Sequence, residues 1–161
     1  MTDPSLVSFA HEGTLVSLLV PEGWEATEVA VNHVRFFGPE QPDHDGYQPT
    51  FSILSGEPEG FGEDWFEQFR EQSMATLRES CTGLALRSNE RFTLSSLVEV
   101  AATWYDWTPQ PGMHVSQLHA LIPVDALRMY VVNAATLQPL ADRDLPIFDH
   151  VLRSLRVLPR R

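Results

Sequence analysis

Apolar residues at Leu6, Val7 and Phe9 precede the turn His11-Glu12-Gly13, and Val16, Leu18 and Val20 alternate after it. A period of two predicts a hairpin from Leu6 to Val20 with both strands half-buried. Its second strand runs into Val20-Pro21-Glu22-Gly23-Trp24-Glu25. There Pro21 ends the ladder, Gly23 permits a sharp reversal, and Trp24 brings a large apolar surface that must pack back on the sheet. A third strand is expected from Ala30 to Phe37 and a fourth from Pro49 to Leu54, separated by an exposed loop from Gly38 to Gly46. The period then changes. From Gly62 to Ser80, Trp65, Phe66, Phe69 and Leu77 share one helical face, while Glu63, Glu67, Arg70, Glu71 and Arg78 share the other.

After Gly83 come four segments rich in strand formers, Leu84 to Leu94, Leu97 to Trp107, Met113 to Ile122 and Ala126 to Thr136. Short turns such as Pro109-Gln110-Pro111-Gly112 make them an antiparallel meander. Asp144 is placed to cap a closing helix before Pro146, with Leu145, Phe148, Val151, Leu152 and Leu155 as its apolar stripe and Arg153 and Arg156 near its negative end. Four strands, a helix, four strands and a helix predict an α/β (α+β) chain: a twisted, mainly antiparallel sheet carrying both helices, as a single domain over residues 1–161.

The Pro-x-Gly-Trp corner, the mid-chain helix, the meander ending in Thr136 and the last helix closing on Ser154-Leu155-Arg156 together resemble the PsbP-like (Mog/PsbP) fold. Within it the chain is similar to a bacterial branch with LpqN-type lipoproteins, DcrB-type proteins and Eag-type chaperones. The resemblance implies a PsbP-like sandwich and binding of proteins or cofactor-bearing assemblies in place of catalysis. It supplies no shared catalytic residues. From the chaperone branch it implies a dimer.

The 161 residues are 43% apolar and 20% charged, which argues against disorder, and no apolar run approaches the ~20 residues of a membrane span. A chain of this length buries roughly two thirds of its unfolded surface. The start Met1-Thr2-Asp3-Pro4-Ser5 has no basic n-region and no lipidation cysteine, and Cys81 is the single cysteine, so a cytoplasmic location is expected. Net charge is −11 and no residue is a lysine. A nucleic-acid partner is disfavoured, since the nearest basic feature is the tail Arg153, Arg156, Arg160 and Arg161.

Catalytic and cofactor motifs fail one by one. In Gly56-Glu57-Pro58-Glu59-Gly60-Phe61-Gly62-Glu63-Asp64-Trp65 the third glycine of a dinucleotide loop is replaced by Trp65, and four carboxylates would repel a pyrophosphate. Asp43-His44-Asp45-Gly46 lacks both the leading aspartate and the bidentate glutamate of a calcium loop. His114 and His119 are five apart in one strand and point to opposite faces, so they cannot share a metal. Cys81 lies at a helix C-terminus, which opposes thiolate formation. No catalytic residue, metal or cofactor is expected.

Trp104-Tyr105-Asp106-Trp107 is the most suggestive run. Alternation puts Trp104 in the core with Val98, Val100 and Ala102, and Tyr105 and Trp107 on the other face. Neighbouring strands add Gln117, His119, Arg87 and Arg91 to that face, a composition suited to a binding hot spot. The expected function is a non-enzymatic, chaperone-like or adaptor module for another protein, with a two-fold homodimer through this face or a strand edge as a further expectation. The alternative is a ligand or enzyme pocket between sheet and helix, contacted by His119, Arg87 or Tyr105. Cover of the face by a loop or by the second helix is the plain structural reading.

Overall fold

The computed structural model describes residues 5–58 and 64–160. Its elements are β1 (Leu6–His11), β2 (Val16–Pro21), β3 (Glu25–Ala30), β4 (His33–Phe37), β5 (Thr50–Gly56), α1 (Trp65–Ser80), β6 (Ala85–Thr93), β7 (Glu99–Gln110), β8 (Met113–Asp125), β9 (Arg128–Leu137), α2 (Ala141–Ser154) and β10 (Arg156–Val157). All strand pairs are antiparallel. A seven-stranded sheet runs β3-β4-β5-β9-β8-β7-β6, and a three-stranded sheet runs β1-β2-β10.

Period-two burial decides which face of the large sheet is core. Val34, Phe36, Phe51, Ile53, Val100, Ala102, Trp104, Leu118, Ala120, Tyr130 and Val132 point to one side, where Val16, Leu18 and Val20 of β2 and Phe148, Val151 and Leu152 of α2 meet them. The small sheet and α2 are tied at their edges, with the Leu19 N–H donating to Ser154 Oγ at 2.9 Å. The Pro-x-Gly-Trp corner forms as the residues dictate. Gly23 takes φ +89°, the Trp24 N–H donates to the Pro21 carbonyl at 3.2 Å, and the indole turns back edge-on to Phe148, ring centres 6.4 Å apart. A Cβ on Gly38 would fall 2.9 Å from that indole, so the close approach requires glycine.

Four expectations are corrected. Glu25–Ala30 is a strand, missed because all six residues are exposed on a sheet edge and show no buried period. The expected single eight-stranded sheet is instead two sheets, because the first hairpin leaves the large sheet at the Trp24 corner and takes up β10. Asp144 does not cap α2. The helix starts earlier, at Ala141, straight out of a 3₁₀ turn over Gln138–Leu140, and Asp144 lies inside it, 2% exposed. Glu67 and Arg70, expected on the solvent face of α1, turn toward the large sheet, Glu67 onto Arg91, whereas Arg156 stands just past the end of α2 as expected. The expected helix start at Gly62 and Glu63 lies outside the described residues.

Candidate functional site

The second face of the large sheet is covered on its β6–β8 side by α1. None of the helix's described side chains is buried. The covering contacts are mostly polar: Glu67 pairs with Arg91, the Arg91 guanidinium stands 5.9 Å from the Phe66 ring centre, and Thr103 Oγ1 reaches Met74 Sδ at 3.7 Å. Beneath α1 is a cavity of only about 90 Å³, lined by Arg70, Ser73 and Met74 from the helix and by Asn89, Thr103 and His119 from the sheet. Ligand pockets run to roughly 300–1,000 Å³. The pocket expected between sheet and helix is therefore present in outline but too small for a metabolite.

The six residues expected to form one exposed binding surface are not brought together as one. Tyr105 is 1% exposed, and burial, with the nearby Cys81 adding to it, pushes its phenol pKa upward. Trp107 and Gln117 are adjacent and half-buried, Trp107 Nε1 donating to Gln117 Oε1 at 2.9 Å. Arg91 is exposed but held between Glu67 and Glu99. Arg87 is on the opposite face. A bulge between Leu86 and Ser88 reverses the alternation there, so Arg87 Nε donates to Asp106 Oδ1 at 2.7 Å and lies by Leu145 and Pro146 of α2. A single-residue insertion of this kind has no compositional signature in β6.

His119 sits in this covered layer with Nδ1 3.0 Å from Asn133 Oδ1 and with Nε2 buried and unpartnered. Burial lowers its pKa from the ordinary 6.5, partly opposed by the Asn133 hydrogen bond. The unfolded chain then binds a proton here before the folded one does. Stability from this group is complete above pH 6.5 and is lost as pH falls through that value toward the folded pKa. Urea unfolding between pH 8 and 5 should show the decline, and His119→Gln should flatten it; an unchanged slope would place the titration elsewhere.

Among the described residues a much larger concavity lies at one end, where the β1–β2 turn, the end of β5, the β8–β9 turn and the C-terminal residues converge on an open cleft of about 1,120 Å³. Sequence reasoning missed it, since it is built from loops distant in sequence. Leu127, expected within a strand, stands at the β8–β9 hairpin tip, 57% exposed. Leu15, Leu158 and Pro159 continue the apolar lining. Glu12, Glu57, Arg128 and Arg160 supply its charges. The walls are firmly built. Leu158 N–H donates to the Leu15 carbonyl at 2.8 Å, and Arg128 Nη1 donates to the Leu158 carbonyl at 3.0 Å. Tyr130 hydroxyl donates to the Thr14 carbonyl, fixing the turn from below. Gly13 fits because a Cβ would meet the Val31 carbonyl oxygen at 1.7 Å.

Pro42–His44 is a 3₁₀ turn followed by left-handed Asp45 and Gly46, and among the described residues no three His, Cys, Asp or Glu side chains gather as metal ligands. Cys81 ends α1, and burial raises its thiol pKa, away from reactivity. The glycine-containing segment Gly56–Trp65 lies in part outside the described residues.

The sequence matches no protein-family model and no curated protein. Solved structures do match. The Ran-binding protein Mog1p of Saccharomyces cerevisiae is 12% identical with a TM-score of 0.65, over 97% of this chain and 97% of its own. LpqN of Mycobacterium tuberculosis, involved in cell envelope biogenesis, is 16% identical with a TM-score of 0.61, over 96% of this chain and 91% of its own. Cyanobacterial PsbP (CyanoP) of Synechocystis is 14% identical with a TM-score of 0.60, over 98% and 95%. At such identities it is the course of the backbone that is shared, from the first hairpin to the closing helix, and on that ground the chain has the Mog/PsbP-like fold.

Proposed function

We propose that this protein is a non-enzymatic, single-domain binding module for another polypeptide, acting as an adaptor or chaperone-like protein, and that the end cleft is its contact site. The observation that carries this reading is the contrast between the two concavities. The one beneath α1 is about 90 Å³, whereas the end cleft is about 1,120 Å³, walled by backbone turns and edged by exposed Leu127. A large apolar cleft with a polar rim suits a partner's chain, whereas a cavity of about 90 Å³ is below the size of a metabolite site. Ran binding by Mog1p, which has the same fold, supports a protein partner.

Affinity capture from the native host, with wild type, Leu127→Asp and Trp107→Ala in parallel, tests the proposal. A partner retained by wild type and Trp107→Ala but reduced about tenfold by Leu127→Asp is expected, a loss of the size that a hot-spot contact gives. No captured partner, or equal capture by all three, would count against it. A metabolite that raises the melting temperature saturably would favour the ligand reading instead.

A further inference from the structure

We infer that the cleft selects an extended segment carrying a carboxylate, an Asp or Glu flanked by apolar residues, with Arg128 and Arg160 as its anchors; this rests on the reading of the cleft as a polypeptide site. Acidic residues outnumber basic ones by 22 to 11 in this chain, so arginines have abundant partners. Arg70, Arg87, Arg91, Arg143 and Arg153 each hold a carboxylate. Among the described residues Arg128 and Arg160 hold none, nor do Arg35, Arg78 and Arg156, but only Arg128 and Arg160 line the cleft. Each donates to a backbone carbonyl, Leu158 and Leu127 respectively, at 3.0 Å.

Arg128 is the more telling of the two. Its guanidinium lies 6.0 Å from the Tyr130 ring centre, it is half-buried, and its Nε is buried with no acceptor. A partly desolvated cation without a counter-ion is costly, and such groups concentrate where a ligand completes them. The guanidinium is a fixed fork of five donors matched to a carboxylate, and the buried Nε is one that the fold leaves without an acceptor. Glu12 and Glu57 line the same cleft from the β1–β2 turn and the end of β5, yet neither closes onto these arginines. They would repel a second acidic group, which limits the fit to one carboxylate with apolar neighbours on Leu127 and Pro159. A nucleic acid, with a phosphate at every step, is disfavoured by the same two glutamates.

Selection from a random-peptide phage library on the immobilised full chain, followed by fluorescence anisotropy with the labelled peptide, provides the test. Enriched peptides should carry Asp or Glu beside Leu, Val or Phe. Affinity should fall about tenfold or more for Arg160→Gln and Arg128→Met, as for loss of a charge-assisted hydrogen bond, and should weaken as salt rises. Arg156→Gln, an exposed arginine outside the cleft, should change nothing. Circular dichroism on each variant separates misfolding from lost contact, and exposed Arg160 remains informative if Arg128→Met unfolds. Peptides that bind equally well with Asp replaced by Asn, or equally to Arg160→Gln, would overturn the carboxylate inference while leaving polypeptide binding intact. Enrichment of no peptide would overturn both. A doubled mass in light scattering that Arg160→Gln abolishes would overturn a foreign partner in favour of a second copy of this chain.

Discussion

Phe148→Ala should lower the free energy of unfolding by about 3–5 kcal/mol, as complete truncation of a buried aromatic does. Phe148 is fully buried and is the point at which the layers join. Its ring stands 6.4 Å from Trp24 at the corner and 6.4 Å from Phe51 of β5. Removing it opens a cavity between α2 and the large sheet and strips the Trp24 indole of an edge-to-face partner. Urea unfolding should show a lower midpoint with an unchanged slope. Leu97→Ala, at a residue 87% exposed, should stay within about 0.5 kcal/mol of wild type. A loss below about 1 kcal/mol at Phe148 would mean that α2 is not seated in the core.

The second large effect is expected at Asp144, where alanine should cost about 2–3 kcal/mol, the scale of hydrogen bonds to a buried charge. Thr136 Oγ1 donates to its Oδ2 at 2.6 Å, and Arg143 donates to it through Nε at 2.7 Å and Nη2 at 3.1 Å. Arg143 in turn reaches Gln41 Oε1 at 2.9 Å, so one carboxylate ties α2, β9 and the β4–β5 loop. Alanine leaves the fully buried Thr136 hydroxyl without its acceptor. Thr136→Val added to Asp144→Ala should therefore cost little or restore stability, a non-additivity that a double-mutant cycle measures. Tyr47 offers a second readout. Burial, and secondarily the Asp144 charge, raise its phenol to about 12, and an ultraviolet titration of Asp144→Ala should find it lower. Simple additivity of the two substitutions would show that they do not act as a pair.

Legibility in the sequence followed the strength of local periodicity. The β2 alternation, the existence of α1, the β7–β9 meander and the corner at Trp24 are all written in residues near one another, and the structure has each of them; the division of α1 into faces is not, since Glu67 and Arg70 turn toward the sheet. Glu25–Ala30 was illegible because an edge strand without a buried face has no period to read. Asp144 was misassigned for a related reason: an aspartate ahead of an apolar stripe signals a cap, yet Thr136 and Arg143, which hold it, depend on tertiary placement. For the site, alternation correctly set Trp104 and Tyr105 on opposite faces, with Gln117 and Thr103 beside their strand partners. It failed at Arg87 because of the bulge and could not show that α1, not a loop or the second helix, covers the face. The cleft draws on turns from both ends of the chain. Its one local mark was Leu127, an exposed leucine at the tip of a hairpin.

Site-specific photo-crosslinking in the native host tests the assignment of the binding site most directly. A photoreactive phenylalanine at Leu127 reports on the cleft, one at Trp107 on the Tyr105 face of the large sheet beside Gln117, and one at Leu97 on an exposed position outside both. The cleft reading predicts a discrete polypeptide adduct from Leu127, with little from Trp107 or Leu97. Adducts from Trp107 with none from Leu127 would contradict it and return the binding surface to the aromatic face of the sheet.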